Sequence, residues 1–600
     1  MDKNQVTGLV LISALLMAYA FFFAPSTDEA KDNATPAAIE QTATTSTNTE
    51  VAAPTVLPDS LQEVINQQTY GSLASAAKGE EATATLENKF LKVVFSTKGA
   101  SIKTVELKEY KTYQDKPLIL VDEASSKMQK TITYNGKAVD LNQLYFSDIE
   151  QSGNKVNITL NVDGGQIVQT YELPADAYTL NSNIAFNGLS AAMDNKQIAF
   201  DWTEHMKRVE PDLESRAGAR MNTSAHYYTV SKDFEELSMT AKEKEAATPK
   251  EAVKWVAFKQ KFFTSSVIPS KPVTVGEVSV APAPVGDTTI VKTAHTNFTY
   301  NTTDTQLTFF FGPNQYHVLK DVTEGFDQNL NLGWFVFKWV NKYLIIPIFH
   351  FFEGFFSNYG IIILLLVIVI KMLLFPLTYK SYLSMAKMRI LQPEINEIKE
   401  QNPDDTQAQQ TAQMALYSKA GVNPLSGCIP MFLQMPILFA MFRFFPNSVE
   451  LRQQSFLWAH DLSTFDSIYN LPFHIPFYGD HISLFTLLMT VSTILYTKAT
   501  NQNNAAMAGP MKNIQYFMPI MMIFFLNDFP AGLTYYYFLS NIITFGQTYA
   551  IRKFVDDDAI HAKMQEAKKT NKDKKGGFQS RIQEAMKQSQ EMQKQKKNKK

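Results

Sequence analysis

The chain has 600 residues, a formal net charge of −2 and one cysteine, Cys428. That length holds more than one domain, and a charge so near zero names no strongly charged partner. A lone cysteine excludes a disulfide framework and a cysteine-based metal site; it lies in an apolar run and reads as a small buried apolar residue.

Residues 6–24, VTGLVLISALLMAYAFFFA, form an apolar run of about bilayer-spanning length. Ala18-Tyr19-Ala20 resembles a signal-peptide cleavage site. The run continues through Phe21–Phe23, which is too long for a signal core, so an uncleaved anchor over 1–24 is expected. Residues 25–84 are rich in Ala, Thr, Ser, Glu and Pro with Tyr70 as their one aromatic, and read as a linker.

Residues 85–330 read as an all-β sandwich. Val156, Ile158, Leu160 and Val162 alternate with polar residues, and Asp163-Gly164-Gly165 then turns the chain. Ile167, Tyr171 and Leu173 continue the next strand, and Tyr178, Leu180, Ile184 and Phe186 alternate again. Period two between Gly or Asn turns marks half-buried antiparallel strands. A helical stretch is expected only around 231–262. No convergent polar cluster names a ligand, so a structural or partner-docking role is expected. Residues 331–358 place Lys338, Lys342, His350, Glu353 and Ser357 at helical intervals among Trp334, Phe335, Trp339, Tyr343, Phe351 and Phe355. This suits an amphipathic helix at the outer membrane surface, broken by Pro347; the alternative is the last helix of the β domain.

Five further spans are expected at 359–378, 427–445, 482–499, 513–528 and 531–551, the helical core 359–552. The loop 379–426 carries Lys380, Lys387, Arg389, Lys399 and Lys419, and Lys498 and Lys512 flank 500–512. The loop 446–481 carries only Arg452. Basic loops stay inside, so both termini are expected in the cytoplasm and residues 25–330 in the periplasm. The cytoplasmic segment 380–422 reads as a helical hairpin. Its first arm is expected from Ser381 to Gln401, and Asn402-Pro403-Asp404-Asp405 caps the second, which stops at Gly421. Met385, Met388 and Met414 sit on it; they either meet apolar partners or pack the arms together. The tail 553–600, with Lys594, Lys596, Lys597, Lys599 and Lys600, suits ribosomal RNA phosphate, anionic lipid, or no specific partner.

Polar groups recur inside the spans. Lys371 lies in IIILLLVIVIKMLLFPLT. It either snorkels to the inner end, about 9 Å away along the helix, or faces a water-filled cavity. Gln434, Thr534, Tyr536, Tyr537, Ser540 and Asn541 add to it, and together they suggest a shared hydrophilic groove. Arg443 lies close to the outer end and is set aside.

The stretches SYLSMAKMRILQPEI at 381–395, ALYSKAGVNPLSGCIPMFLQMPI at 415–437, SVELRQQSFLWAHDLS at 448–463 and FPAGLTYYYFLSN at 529–541 resemble the YidC family of insertases. FSTKGASI at 95–102, WVAFKQKFF at 255–263 and FGP at 311–313 resemble the periplasmic domain of its Gram-negative members. The resemblance implies a six-helix polytopic inner-membrane protein. Its five-helix core encloses a hydrophilic groove, and a periplasmic β-supersandwich is added. It implies insertion of nascent membrane proteins into the lipid bilayer, alone or with the Sec translocon; the ribosome is a further expected partner through the basic tail and the cytoplasmic hairpin. Lys371 stands where many members carry the groove arginine. Gln434 matches the groove glutamine, and Tyr537 and Ser540 match polar groove positions. Neither a cofactor nor an enzyme activity is expected: the chain has no GxxxxGK phosphate loop, no HExxH and no membrane-embedded Asp pair. A solute transporter is the other rival, but the later spans show no clear repeat.

Overall fold

The computed structural model describes residues 59–189, 191–403, 405–422, 429–475, 478–501 and 510–570. The anchor expected at 6–24, most of the linker, Asp404, Cys428 and the tail beyond residue 570, with Lys594, Lys596, Lys597, Lys599 and Lys600, lie outside them. Helix α1 (Asp59–Tyr70) and a 3-10 turn (Gly71–Ala77) occupy the end of the expected linker. Leu73 and Ala76 of that turn are buried in the β core, and the first strand opens at Thr83.

Three antiparallel sheets of four, nine and six strands build the β domain. Alternation drives the pattern where one face is wet. Lys155–Val162 and Gly165–Glu172 pair as a hairpin with Val162 opposite Gly165. Gly164 takes φ +86°, which a two-residue hairpin loop requires and a side chain resists. The nine- and six-stranded sheets face each other through large aromatics. Trp202 of the six-stranded sheet meets Phe258 and Phe309 of the other at ring separations of 4.6 and 6.1 Å. Burial of such rings is the main apolar contribution to this core.

The expected helical stretch at 231–262 is instead three strands, Phe234–Glu236, Glu245–Ala247 and Val253–Lys259. Val253–Lys259 is paired on both sides and almost wholly buried. A strand buried on both faces loses its alternation, and ladder pairing overrides the helix propensity of the Glu- and Lys-rich segment before it.

After the last large strand, α2 (Tyr316–Leu319) leads to α3 (Val336–Val340) and α4 (Ile346–Glu353). A π turn, Asn341–Ile345, joins α3 to α4, and Ile346 N donates to Asn341 O. Pro347 therefore does not break the stretch in two. It has no N–H to give, and the π turn just before it takes up the mismatch. Asn341 is fully buried and donates to Leu332 O and Ala440 O, each at 2.9 Å. That ties this stretch to the next unit.

The second unit is helical: α5 (Tyr359–Ile390), α6 (Gln392–Gln401), α7 (Thr406–Lys419), α8 (Ile429–Asn447), α9 (Leu484–Asn501), α10 (Pro510–Leu526), α11 (Ala531–Phe554) and α12 (Asp557–Thr570). Among the described residues, α5 is the one helix long and apolar enough by itself to cross a membrane; Leu484–Ala499 and Phe517–Leu526 are shorter apolar helices. Helix α5 does not restart at Ser381. It runs unbroken to Ile390, so the first hairpin arm is its own continuation plus α6. The break at Leu391 precedes Pro393, which suits a first turn and not an interior. The second arm is capped by Asp405, whose Oδ1 accepts from Ala408 N at 2.9 Å, and not by Asn402. The arm ends at Gly421 with φ +64°. In the outer loop 446–481 a two-stranded hairpin forms, Tyr469–Ile475 with Gly479–Ile482.

One buried ion pair locks the outer loop to the β domain. Arg452 Nε donates to Glu210 Oε1 at 2.7 Å, and the two side chains are 2% and 3% exposed. Arg452 also donates to Val209 O and lies over the Phe263 ring. Removing one partner from such a pair leaves a buried charge and costs about 3–5 kcal/mol. Arg452→Ala should therefore loosen the loop, with faster limited proteolysis at 446–481. The double replacement Glu210→Leu with Arg452→Met should lose much less.

Inside the β domain Glu204 is fully buried. Ser265 Oγ donates to its Oε1 at 3.1 Å, while Oε2 has no partner among the described residues. Burial pushes its carboxyl from an ordinary 4.5 up to about 8. The folded state thus holds a proton that the unfolded chain releases. This contribution is complete below pH 4.5 and is lost as pH rises through about 8. Glu204→Gln should flatten the dependence and raise the melting temperature at pH 9 by about 2–8 °C, the shift that 1–2 kcal/mol gives a domain of this size. Thermal melts followed by circular dichroism at pH 6 and pH 9 would check it.

Candidate functional site in the helical unit

Helix α11 is the hub of the helical unit. Its residues at intervals of three and four, Thr534, Tyr537, Asn541, Thr544 and Thr548, form one polar stripe. Asn541 Nδ2 donates to Ser492 Oγ at 3.0 Å and Thr493 Oγ1 at 2.8 Å, crossing to α9. Tyr537 OH donates to Leu438 O of α8 at 3.0 Å. Gln547 Nε2 donates to Lys371 O of α5 at 3.3 Å. Thr534, Thr544 and Thr548 donate to carbonyls of their own helix.

Lys371 lies on α5 and is 5% exposed. Its Nζ donates to Gln434 Oε1 of α8 at 3.4 Å, a long contact for a charged donor. No salt bridge to Lys371 appears among the described residues. The flanking Met372 and Leu373, and Phe432, Leu433 and Met435 around Gln434, are exposed. The pair therefore sits just behind an apolar rim. The side chain of Lys371 is turned inward toward Gln434 and not out along its stem.

The structure brings Lys371 and Gln434 together and does not bond the other expected groove residues to them. Asn541 is taken up by α9 and Tyr537 by the α8 backbone. Tyr536 packs its ring on Phe445 and Tyr537 at 5.8 and 5.4 Å. Ser540 is 1% exposed and its Oγ has no hydrogen-bond partner among the described residues. Gln547, Ser492 and Thr493 were not picked out from the sequence. Gln547 sits seven residues after Ser540, the two-turn repeat that marks one helix face, and that interval was the available signal.

The outer ends of the same helices look different. Asp466 is 3% exposed and accepts from Trp458 Nε1, Ser483 Oγ, Leu484 N and Phe485 N, which caps α9. Asn527, at the end of α10, donates to Tyr478 O and His481 O and accepts from Ser483 N. These contacts tie residues 466–483 to the ends of α9 and α10.

On the helical hairpin, Met388 and Met414 are half-buried against Leu391, Ile395, Tyr417 and Val422, and against Met564 of α12. Met385 packs beside Tyr382, Ala386 and Ile551, so it joins α5 to α11 and not one hairpin arm to the other.

Comparison with known proteins decides the family. The family model described as 60Kd inner membrane protein matches residues 351–559, and that described as YidC periplasmic domain matches residues 83–347. The membrane protein insertase YidC of Amoebophilus asiaticus is 44% identical, covering 98% of this chain and 99% of that one. The chain belongs to the YidC family. The YidC insertase of Cytophaga hutchinsonii is 41% identical over 100% of this chain and 99% of its own length. A crystal structure of an active YidC insertase with its first transmembrane domain resolved aligns at TM-score 0.32 and 18% identity, covering 82% of this chain and 99% of that one. As a YidC insertase, the protein acts on nascent membrane proteins at the inner membrane and carries a β-rich periplasmic domain ahead of its helical insertase region.

The hydrogen-bond pattern makes a direct prediction. Asn541→Ala removes two side-chain contacts between α11 and α9, and interhelical hydrogen bonds in membranes are worth about 0.6–2 kcal/mol. Ser540→Ala removes none and should be close to neutral. Unfolding in detergent, followed for both variants, would separate them; equal losses would contradict the pattern.

Proposed function

We propose that the protein inserts membrane segments through a hydrophilic lane centred on Lys371 and Gln434 and continued by the polar stripe of α11. The supporting observation is the position of Lys371: a lysine turned inward on an apolar helix, held by one long hydrogen bond. Such a group has electrostatic capacity left over. Water, or an acidic group of a passing chain, supplies what Gln434 does not.

The work follows from transfer energies. A nascent segment is apolar and enters lipid favourably. Its polar flank does not, and dragging that flank through hydrocarbon is the costly step. A lane that reaches part-way shortens the dry distance. Lys371 draws an acidic flank toward the lane, and the apolar segment leaves sideways past exposed Met372 and Leu373. No nucleotide, metal or cofactor enters the scheme, and no bond is made or broken, so the protein is not an enzyme. The matching topology has six spans, both termini in the cytoplasm and residues 25–330 in the periplasm. Large substrates arrive with the Sec translocon. The ribosome meets the cytoplasmic hairpin and the basic tail.

In liposomes containing the purified protein, a single-spanning substrate with an acidic outer flank is scored by protease protection. Lys371→Glu should lower protection roughly tenfold, equivalent to about 1.4 kcal/mol. Lys371→Arg should retain most of it. Full protection with Lys371→Glu would sink the charge-attraction step.

A further inference from the structure

Helix α10 is short. Its 17 residues reach about 26 Å, against about 30 Å for a hydrocarbon core. Along its length Phe517, Ile520, Met521 and Phe524 are exposed. That apolar face does not stop at the helix end. Phe524 meets the Tyr478 ring at 5.7 Å, and Tyr478 belongs to the outer-loop hairpin. On the hairpin strand Tyr469 and Phe473 are 60% and 59% exposed, and Ile468 just before it is 49% exposed. The strand Tyr469–Ile475 contains no Asp, Glu, Lys or Arg.

The hairpin is also fixed in height. Asn527 at the foot of α10 holds Tyr478 O and His481 O, and Asp466 holds the first turn of α9. Gly479 takes φ +98°, and a side chain there would meet Asp528 Oδ1 at 2.8 Å, so hairpin and helix end approach as closely as a glycine allows. The apolar strand is therefore bolted to the outer ends of two apolar helices.

We propose that this hairpin lies in the interfacial layer of the outer leaflet and extends the lipid-facing surface of the short helix α10. Its occupant is lipid, at the boundary of headgroups and acyl chains. An exposed strand edge has unpaired backbone groups that the hydrocarbon core does not tolerate but the wet interface does. Tyr469, Phe473 and His474 have the amphipathic or aromatic character that this layer selects.

The inference rests on the membrane-spanning reading of the helices, and the test separates the two. In the full-length protein with Cys428→Ser, a single cysteine is placed by Phe473→Cys, Phe517→Cys or Val285→Cys and labelled with an environment-sensitive fluorophore. Each is reconstituted in phosphatidylcholine vesicles carrying nitroxides on the headgroup, high on the acyl chain or deep on it. Val285, fully exposed on the β domain, is the water reference. The expected result is strongest quenching of the Phe473 label by headgroup and shallow nitroxides, at least about twice that of Val285, as for groups buried about 5–10 Å into the interface. The Phe517 label should respond to the deep nitroxide. Phe473 quenching equal to that of Val285, with Phe517 quenched, would overturn the hairpin placement alone and point to an aqueous or protein-covered strand. An unquenched Phe517 would overturn the spanning reading and the proposal with it. Tyr469→Cys repeats the test if Phe473→Cys does not fold.

Discussion

A polar group taken out of water must find another polar group, and most of this protein is arranged around that demand. At Asp466 and Asn527 it is met several times over. Asp466 accepts four hydrogen bonds and Asn527 uses both its amide nitrogen and its oxygen. Deeper in the helices it is met thinly. Lys371 has Gln434 at 3.4 Å, and Ser540 Oγ is left without a partner among the described residues. A group bonded several times over resists opening, because every separation breaks several bonds at once.

The same demand joins the two halves of the chain. Glu210 and Arg452 are 242 positions apart, and each is buried by the other half. Asn341 performs the neutral version, bonding Leu332 O on one side and Ala440 O on the other. These buried contacts hold the β domain against the outer loop and the interfacial helix, and so fix where that domain sits relative to the helices.

Local signals in the sequence located most elements, because period two and period 3.6 are properties of short windows. The turn at Gly164, the stop at Gly421 and the helix around Lys371 all follow from such windows. Val253–Lys259 did not, since a strand buried on both faces carries no alternation. The hairpin cap was displaced to Asp405 because three candidate capping residues compete within four positions. The Glu210–Arg452 pair was beyond reach for another reason: a lone arginine in a loop looks like any other, and only the fold supplies its partner. Of the groove residues, the sequence marked Lys371 and Gln434 by their chemistry. That Asn541 and Tyr537 spend their hydrogen bonds on neighbouring helices depends on helix orientation, which no single window contains.

Helix α5 spans 32 residues, about 48 Å, from its Asn358 cap to the hairpin. Lys371 and the first hairpin arm therefore share one rod. Pro376, five positions beyond Lys371, leaves Met372 O without its helical donor and makes that point the softest joint in the rod. The outer half is held in the helical core, while the inner half carries the hairpin and α12. The joint at Pro376 thus lies about one and a half turns from Lys371, between the half of the rod packed in the core and the half that carries the hairpin.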